Sequence, residues 1–143
     1  MKKSIKRFAL LLVTAALFSF KADPGGEGFE IYLGGKLLTQ QFGSHVNDVR
    51  SLQLQPASGE ELVIKYFHCG KVGTQRVITI KDTRDNLLKE YHYADGSATK
   101  NGMSLKVKEL MKFSDAKKGI SKVKMYYSSS ELPNGRWLAS FEL

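Results

Sequence analysis

A histidine beside a cysteine, His68-Cys69-Gly70, is the sequence feature with the clearest chemical potential. A thiol next to an imidazole can act as a nucleophile with its base, or the two side chains can bind one metal ion. Neighbouring residues on a strand point to opposite faces, so the pair serves one centre only where a bulge turns one of them. The simpler interpretation is structural: Cys69 is a small buried thiol, and His68 is an imidazole at the end of a strand.

Two more histidines, His45 and His92, keep the chemical interpretation open. A small metal-binding or redox protein would use His68, Cys69 and His92 as its ligands, with His45 as a further candidate. No His-x-x-x-His spacing supports this alternative. Cys69 is the sole cysteine, so it forms no disulfide within the chain, although it could join two chains. We therefore expect no cofactor in the first interpretation and a metal only in the alternative.

The hydroxyl and carboxyl residues form no recognisable catalytic pattern. Ser128-Ser129-Ser130 lacks the Gly-x-Ser-x-Gly turn of a nucleophile elbow. Asp82 and Asp85 lie in a predicted turn, where Asp side chains hydrogen-bond the local backbone. The sequence therefore predicts a protein that is not an enzyme.

Aromatic side chains are better candidates for a function. Tyr32, Phe67 and Tyr126 fall on the outward positions of predicted strands, together with His92. Outward aromatic residues on a sheet can bind a glycan or a peptide, although they also cover sheet faces. We take Tyr32, Phe67 and Tyr126 as the candidate binding residues.

Short strands must position all of these residues. Residues 62–93 read as three strands, with the inward sets Ile78 and Ile80, then Leu87, Tyr91 and Tyr93. Gly34-Gly35 predicts a two-residue hairpin turn, and Pro133-Asn134-Gly135 predicts another turn. After that turn, alternation places Trp137 on the same face as Ala139 and Phe141. Residues 109–113 break the alternation and fit one helical turn.

The whole pattern gives eight or nine strands with at most one short helical turn. Such spacing predicts an all-β protein, and we choose an immunoglobulin-like antiparallel β-sandwich over a small barrel. Sheets of this kind bury one face of each strand. The Cys…Trp…Cys framework of antibody domains is absent, so the predicted likeness is one of architecture.

The first 22 residues have the layout of a cleaved secretory signal peptide. Four basic residues precede an apolar run from Phe8 to Phe20, which is shorter than the roughly 20 residues that span a bilayer. Residues 23–28 would form a flexible lead-in, and residues 29–143 the β-sandwich domain. Residues 1–22 contain five of the 22 basic residues and none of the 14 acidic ones, so the formal charge of +8 falls to about +3 without them. A nucleic-acid partner is not expected at that charge.

Several segments resemble a family of short, uncharacterised exported proteins of Bacteroidetes-type bacteria. The segments are Phe29-Glu30-Ile31-Tyr32-Leu33, Tyr66-Phe67-His68-Cys69-Gly70, Leu88-Lys89-Glu90 and Glu131-Leu132-Pro133-Asn134-Gly135-Arg136. The resemblance implies an exported domain and brings no established activity.

These observations lead to one expectation. The protein is an exported, non-catalytic β-sandwich, periplasmic or extracellular, with no transmembrane segment after signal cleavage. It acts as a binding or structural module that contacts an envelope protein or a glycan. The alternative is the metal or redox protein centred on Cys69 and His68.

Overall fold

The computed structural model describes residues 26–55, 59–115 and 118–143. The predicted signal peptide and residues 23–25 of the predicted lead-in lie outside these ranges. Within them the chain forms nine strands: β1 Gly28–Leu33, β2 Lys36–Phe42, β3 Arg50–Gln53, β4 Glu61–Phe67, β5 Arg76–Lys81, β6 Leu87–Tyr93, β7 Met103–Lys106, β8 Lys122–Ser129 and β9 Leu132–Glu142. One short helix, α1 Val107–Met111, and one 3₁₀ turn, Gly43–His45, complete the regular structure.

The strands form two sheets, as a sandwich requires. The four-stranded sheet has the order β2-β1-β4-β7, and the five-stranded sheet has the order β3-β9-β8-β5-β6. Strands β1-β4-β7 and β9-β8-β5-β6 reproduce the A-B-E and G-F-C-C′ orders of an immunoglobulin-like fold. The pairing of β3 with β9 is parallel, whereas every other strand pair is antiparallel. The predicted β-sandwich is confirmed, with one parallel edge pair added.

The core lies between the inner faces of the two sheets. Every second side chain of β4, β5 and β8 is buried, as the alternation in the sequence predicts. The largest fully buried side chains are Tyr127, Phe29, Phe141, Ile31, Leu62, Ile64, Ile78, Ile80, Met103, Leu110, Met125 and Leu138. Leu110 belongs to α1, which follows β7 in the chain and begins two residues before the predicted helical turn. Leu110 packs into the hydrophobic core.

Gly34-Gly35 forms the predicted hairpin turn between β1 and β2. Leu33 pairs with Lys36, and the φ angles of the two glycines are 54° and 84°. Glycine reaches positive φ without steric cost, so it suits both positions of a two-residue turn. The local sequence is sufficient to fix this hairpin.

Bulges make three of the sequence predictions wrong. Leu87 is 58% exposed, because the β5–β6 register shifts between Ile80 and Lys81, and Leu88 packs on the core instead. Residues 133–135 are not the turn between β8 and β9; the chain reverses at residues 130–131, and Ser129 pairs with Leu132. The register then shifts again, so residues 133–135 bulge from β9. Trp137 is the third case and belongs to the candidate site.

In the described part of the chain, no helix has the length and apolar character needed to cross a membrane.

Candidate functional site

His68 lies in the interior, where β4 ends. Its Nε2 atom is 2.8 Å from the Tyr127 hydroxyl oxygen and 3.4 Å from Ser129 Oγ. The rings of Tyr66 and Tyr127 stack with 4.2 Å between their centroids. One tyrosine from each sheet therefore contacts the other beside the imidazole. The sequence places His68 at the end of a strand correctly, but gives no sign that its partner lies 59 residues away.

Cys69 is exposed, so the expectation of a buried thiol is wrong. The chain does not continue as a strand beyond His68 but reverses at once. The Lys71 backbone N–H donates to the His68 carbonyl oxygen at 3.0 Å. Cys69 and Gly70 occupy the centre of this turn with φ angles of 52° and 82°. The tip of a tight turn directs its side chain into solvent, and this geometry outweighs the apolar residues before it in the sequence.

The metal-binding alternative gains no support from this arrangement. His92 is exposed on β6, where Nε2 lies 3.7 Å from Glu90 Oε2, and His45 pairs with Asp48 at 3.0 Å. Across residues 26–55, 59–115 and 118–143, no three His, Cys, Asp or Glu side chains form a group that could hold a metal ion. The structure therefore does not bring His68, Cys69 and His92 together.

A partly buried polar cluster surrounds His68. The Tyr66 hydroxyl donates to Glu27 Oε1 at 2.6 Å, and Arg136 Nη1 lies 3.3 Å from Glu27 Oε2, without hydrogen-bond geometry. Burial lowers the pKa of His68, an effect that the cations of Arg76 and Arg136 reinforce and that Glu131 and Glu27 oppose. Burial also raises the pKa of Tyr66, and the hydrogen bond to Glu27 adds to this. Burial thus favours the neutral form of His68, which lies inside a network that ties the two sheets together.

This cluster also contains a serine near a histidine. Ser129 and His68 could be interpreted as a nucleophile and its base, but both residues are buried, with exposures of 5% and 9%. The same imidazole nitrogen already contacts the Tyr127 hydroxyl at the shorter distance. The pair therefore presents no exposed nucleophile at the surface.

Tyr126, the neighbour of Tyr127 on β8, points to the opposite side of the sheet. Its ring is nearly parallel to that of Trp137, with an interplanar angle of 20° and centroids 6.0 Å apart. The register of β8 and β9 shifts between Met125 and Tyr126, so Tyr126 pairs with Trp137 while Met125 pairs with Ala139. This bulge makes the predicted placement of Trp137 on the inward face with Ala139 wrong. It gives the outer face of the five-stranded sheet two aromatic rings.

Two lysines cover these rings. Lys81 Nζ lies 4.8 Å from the Tyr126 ring centroid, and Lys124 Nζ lies 5.0 Å from that of Trp137. Contacts of this kind are cation–π interactions, worth about 0.5–1 kcal/mol each at exposed sites. Lys124 also forms an ion pair with Asp85 at 3.0 Å, and the Tyr126 hydroxyl donates to the same Asp85 oxygen at 3.3 Å. Burial raises the pKa of Tyr126, and the negative charge of Asp85 raises it further.

Beside Tyr126 lies an open groove of about 400 Å³. The groove is bordered by the turn after β5, by residues on the outer face of β5, β6 and β8, and by the bulge of β9. The lining residues are Thr79, Lys81, Asp85, Leu87, Glu90, Tyr126, Tyr127, Ser128, Pro133, Asn134 and Gly135. Tyr127 borders the groove but is itself fully buried, and its ring stacks on Tyr66 between the sheets. Most of them are polar or charged, so the groove offers hydrogen-bond partners next to an aromatic ring.

Local structure explains how Asp85 and the bulge reach this groove. Asp82 Oδ1 accepts hydrogen bonds from the backbone N–H groups of Arg84 and Asn86 at 2.8 and 2.9 Å, which fixes the turn after β5. Asp85 lies within that turn with φ 65°. Gly135 has φ 71°, so the bulge also uses a left-handed residue.

The other two predicted binding residues lie on the opposite sheet. Tyr32 is on β1 and carries Lys65 Nζ over its ring at 4.8 Å. Phe67 is on β4 and packs against Phe42 with ring centroids 5.3 Å apart. Tyr32 and Phe67 therefore cannot share one site with Tyr126, although all three side chains are half-buried on outer faces as predicted.

Sequence reasoning found Tyr126 but missed most of its neighbours. Trp137 was misplaced by assuming unbroken alternation through β9. Lys81 and Thr79 occupy outward positions of a correctly predicted strand, so they could have been assigned to this face once β5 and β8 were known to pair. Pro133-Asn134-Gly135 does not form the predicted turn but bulges from β9, and this bulge lines the groove.

No known protein-family profile matches the chain, and no curated protein matches it significantly. The resemblance to exported Bacteroidetes-type proteins stays a prediction.

Proposed function

We propose that this protein is an exported, non-catalytic binding module, and that it binds a glycan in the groove beside Tyr126. The observation that carries the proposal is the aromatic pair of Tyr126 and Trp137 next to that groove. Sugar rings present apolar C–H faces that pack on aromatic rings, while their hydroxyl groups need polar partners. The groove supplies both.

The polar lining fits a glycan better than a protein partner. Thr79, Ser128 and Asn134 place hydroxyl and amide groups around Tyr126, and Asp85 and Glu90 add acceptors. The cores of protein–protein interfaces are depleted in charged residues, whereas this groove is rich in them. A protein contact is the competing outcome, and it is included in the test.

Export and the absence of catalysis belong to the same proposal. The layout of residues 1–22 supports secretion, and an outward-facing binding surface suits a periplasmic or extracellular protein. The sheltered position of Ser129 and His68 supports a non-catalytic role. Intact mass measurement of protein from the cell envelope tests export, because cleavage near residue 22 removes a fixed mass.

A glycan array followed by titration calorimetry tests the binding function. We expect the wild-type protein to bind a defined class of oligosaccharide, and Tyr126→Ala to weaken that affinity at least tenfold. Tyr32→Ala is the matched control, because Tyr32 also lies under a lysine but on the opposite sheet. Its affinity should equal that of the wild type.

Two results would overturn this proposal. One is the absence of binding to any glycan, together with a Tyr126-dependent contact to an envelope protein, which would make the groove a protein-binding surface. The other is glycan binding that Tyr126→Ala leaves unchanged, which would place the binding site elsewhere.

A further inference from the structure

Three lysines project from the outer face of the five-stranded sheet, and they differ in their partners. Lys122 Nζ lies 3.8 Å from Glu142 Oε1, and Lys124 Nζ lies 3.0 Å from Asp85 Oδ1. Within the described residues, no carboxylate oxygen lies within 4.0 Å of Lys81 Nζ. Of these three lysines, Lys81 is therefore the one without a direct counter-ion among the residues that the structure describes.

The position of Lys81 makes this more than an ordinary surface lysine. Lys81 on β5 pairs directly with Lys124 on β8, and two like charges opposite each other destabilise a sheet. Asp85 offsets part of this repulsion, since its pKa is lowered chiefly by its hydrogen bond with Lys124, with a smaller contribution from the charge of Lys81. Its Oδ1 atom is already shared by Lys124 and the Tyr126 hydroxyl. Asp85 and Glu90 also line the groove, so Lys81 is the one lining side chain whose positive charge can neutralise an acidic group of a ligand.

The ammonium group of Lys81 also lies where a ligand in the groove would meet it. It stands 4.8 Å from the centroid of Tyr126, and Lys81 and Tyr126 both line the groove. A sugar packed against Tyr126 would place its substituents within reach of this cation. We infer that the glycan is acidic, carrying carboxylate or sulfate groups, and that Lys81 binds one of them.

This inference rests on the proposed glycan-binding function, and the experiment separates the two. The probes are matched pairs of hexasaccharides: oligogalacturonate against its methyl ester, and a sulfated galactose oligomer against the unsulfated one. Binding is measured by titration calorimetry at low and high salt. We expect the acidic member of at least one pair to bind ten or more times more tightly, with a preference that falls as salt rises.

Lys81→Gln should abolish that preference while Lys65→Gln retains it. Lys65 is the matched control, because its ammonium also lies 4.8 Å from a tyrosine ring, that of Tyr32, on the opposite sheet. The carboxylate pair and the sulfate pair identify which acidic group is bound.

Four outcomes would overturn the inference. Equal or tighter binding of the neutral members refutes an acidic ligand but leaves the glycan-binding function standing. An acidic preference that survives Lys81→Gln removes Lys81 from the site. If all four probes fail while neutral glycans on the array bind in a Tyr126-dependent manner, the inference of an acidic ligand is refuted and the glycan-binding function stands. If no glycan binds at all, both proposals are refuted.

Discussion

Tyr126 and Tyr127 are adjacent in the sequence and have opposite surroundings. Tyr127 is fully buried, stacks on Tyr66 and meets the His68 imidazole between the sheets. Tyr126 lies on the outer face, beside Trp137 and under Lys81. Both regions combine aromatic rings, cations and a carboxylate. In the interior most of these groups hydrogen-bond one another, although Arg136 Nη1 does not, whereas on the outer face they border an open groove. This difference underlies the proposed separation of stability from binding.

The largest expected effect concerns the interior. Tyr127→Ala removes a fully buried aromatic side chain and leaves a cavity beside Tyr66 and His68. We expect the free energy of unfolding to fall by about 3–5 kcal/mol. Urea denaturation followed by tryptophan fluorescence measures this change. A loss no greater than that caused by Tyr126→Ala would contradict the division between the two regions.

The interior should also respond to acid. The folded-state pKa of His68 is lowered mainly by burial, so the unfolded chain binds a proton that the folded protein does not. Stability is therefore highest well above the ordinary histidine pKa of about 6.5 and declines as pH falls from there toward the folded pKa. Each unit of lowering corresponds to about 1.4 kcal/mol. Denaturation midpoints measured from pH 8 to 5 should show this slope, and His68→Gln should remove it.

Glu131 provides a second pH window that the same measurement can separate. Hydrogen bonds from the hydroxyl and backbone N–H of Thr74 lower the pKa of Glu131 to about 2. This stabilisation is present above the carboxylate's ordinary pKa and is lost as pH falls toward the lowered value. It therefore lies below the His68 window, and Thr74→Ala should reduce only the loss at lower pH.

The bulge that borders the groove gives a smaller effect. At Gly135, with φ 71°, a Cβ would lie 3.2 Å from the Tyr127 carbonyl oxygen. Gly135→Ala should cost about 1–2 kcal/mol for the left-handed backbone, with an additional loss from this contact, and should weaken glycan binding. Gly35→Ala is the matched control, because φ is 84° there and a Cβ meets no atom within 4 Å. Thermal denaturation of the two variants compares them. Equal stability and unchanged binding would show that the bulge does not shape the groove.

The smallest effect is expected at Cys69. Its thiol lies at an exposed turn tip, so a thiol reagent should modify the folded protein at nearly the rate seen in denaturant. Cys69→Ser should change the free energy of unfolding by less than about 0.5 kcal/mol. Protection of the thiol in the folded state would contradict the exposed position. A metal retained by the wild type and lost in Cys69→Ser would restore the metal-binding alternative.

The strands were predictable because their signals are local. Alternation predicted three strands within residues 62–93, where β4, β5 and β6 lie, and Gly34-Gly35 predicted the first hairpin. The bulges were not predictable. A shift of one residue moves a side chain to the other face of the sheet, and the alternation of apolar and polar residues in a short strand does not reveal where such a shift occurs. Trp137 was misplaced for this reason. The contact of His68 with Tyr127 depends on strand order, which alternation alone does not give.

The central claim is that neighbouring tyrosines divide binding from stability, and one paired measurement tests it most directly. Glycan affinity and the free energy of unfolding are determined for Tyr126→Ala and Tyr127→Phe under the same conditions. We predict that Tyr126→Ala loses binding at least tenfold with a stability change within about 1 kcal/mol. Tyr127→Phe should bind normally but lose about 1–3 kcal/mol, because His68 loses its hydroxyl partner. Loss of binding in Tyr127→Phe with retention in Tyr126→Ala would contradict the account.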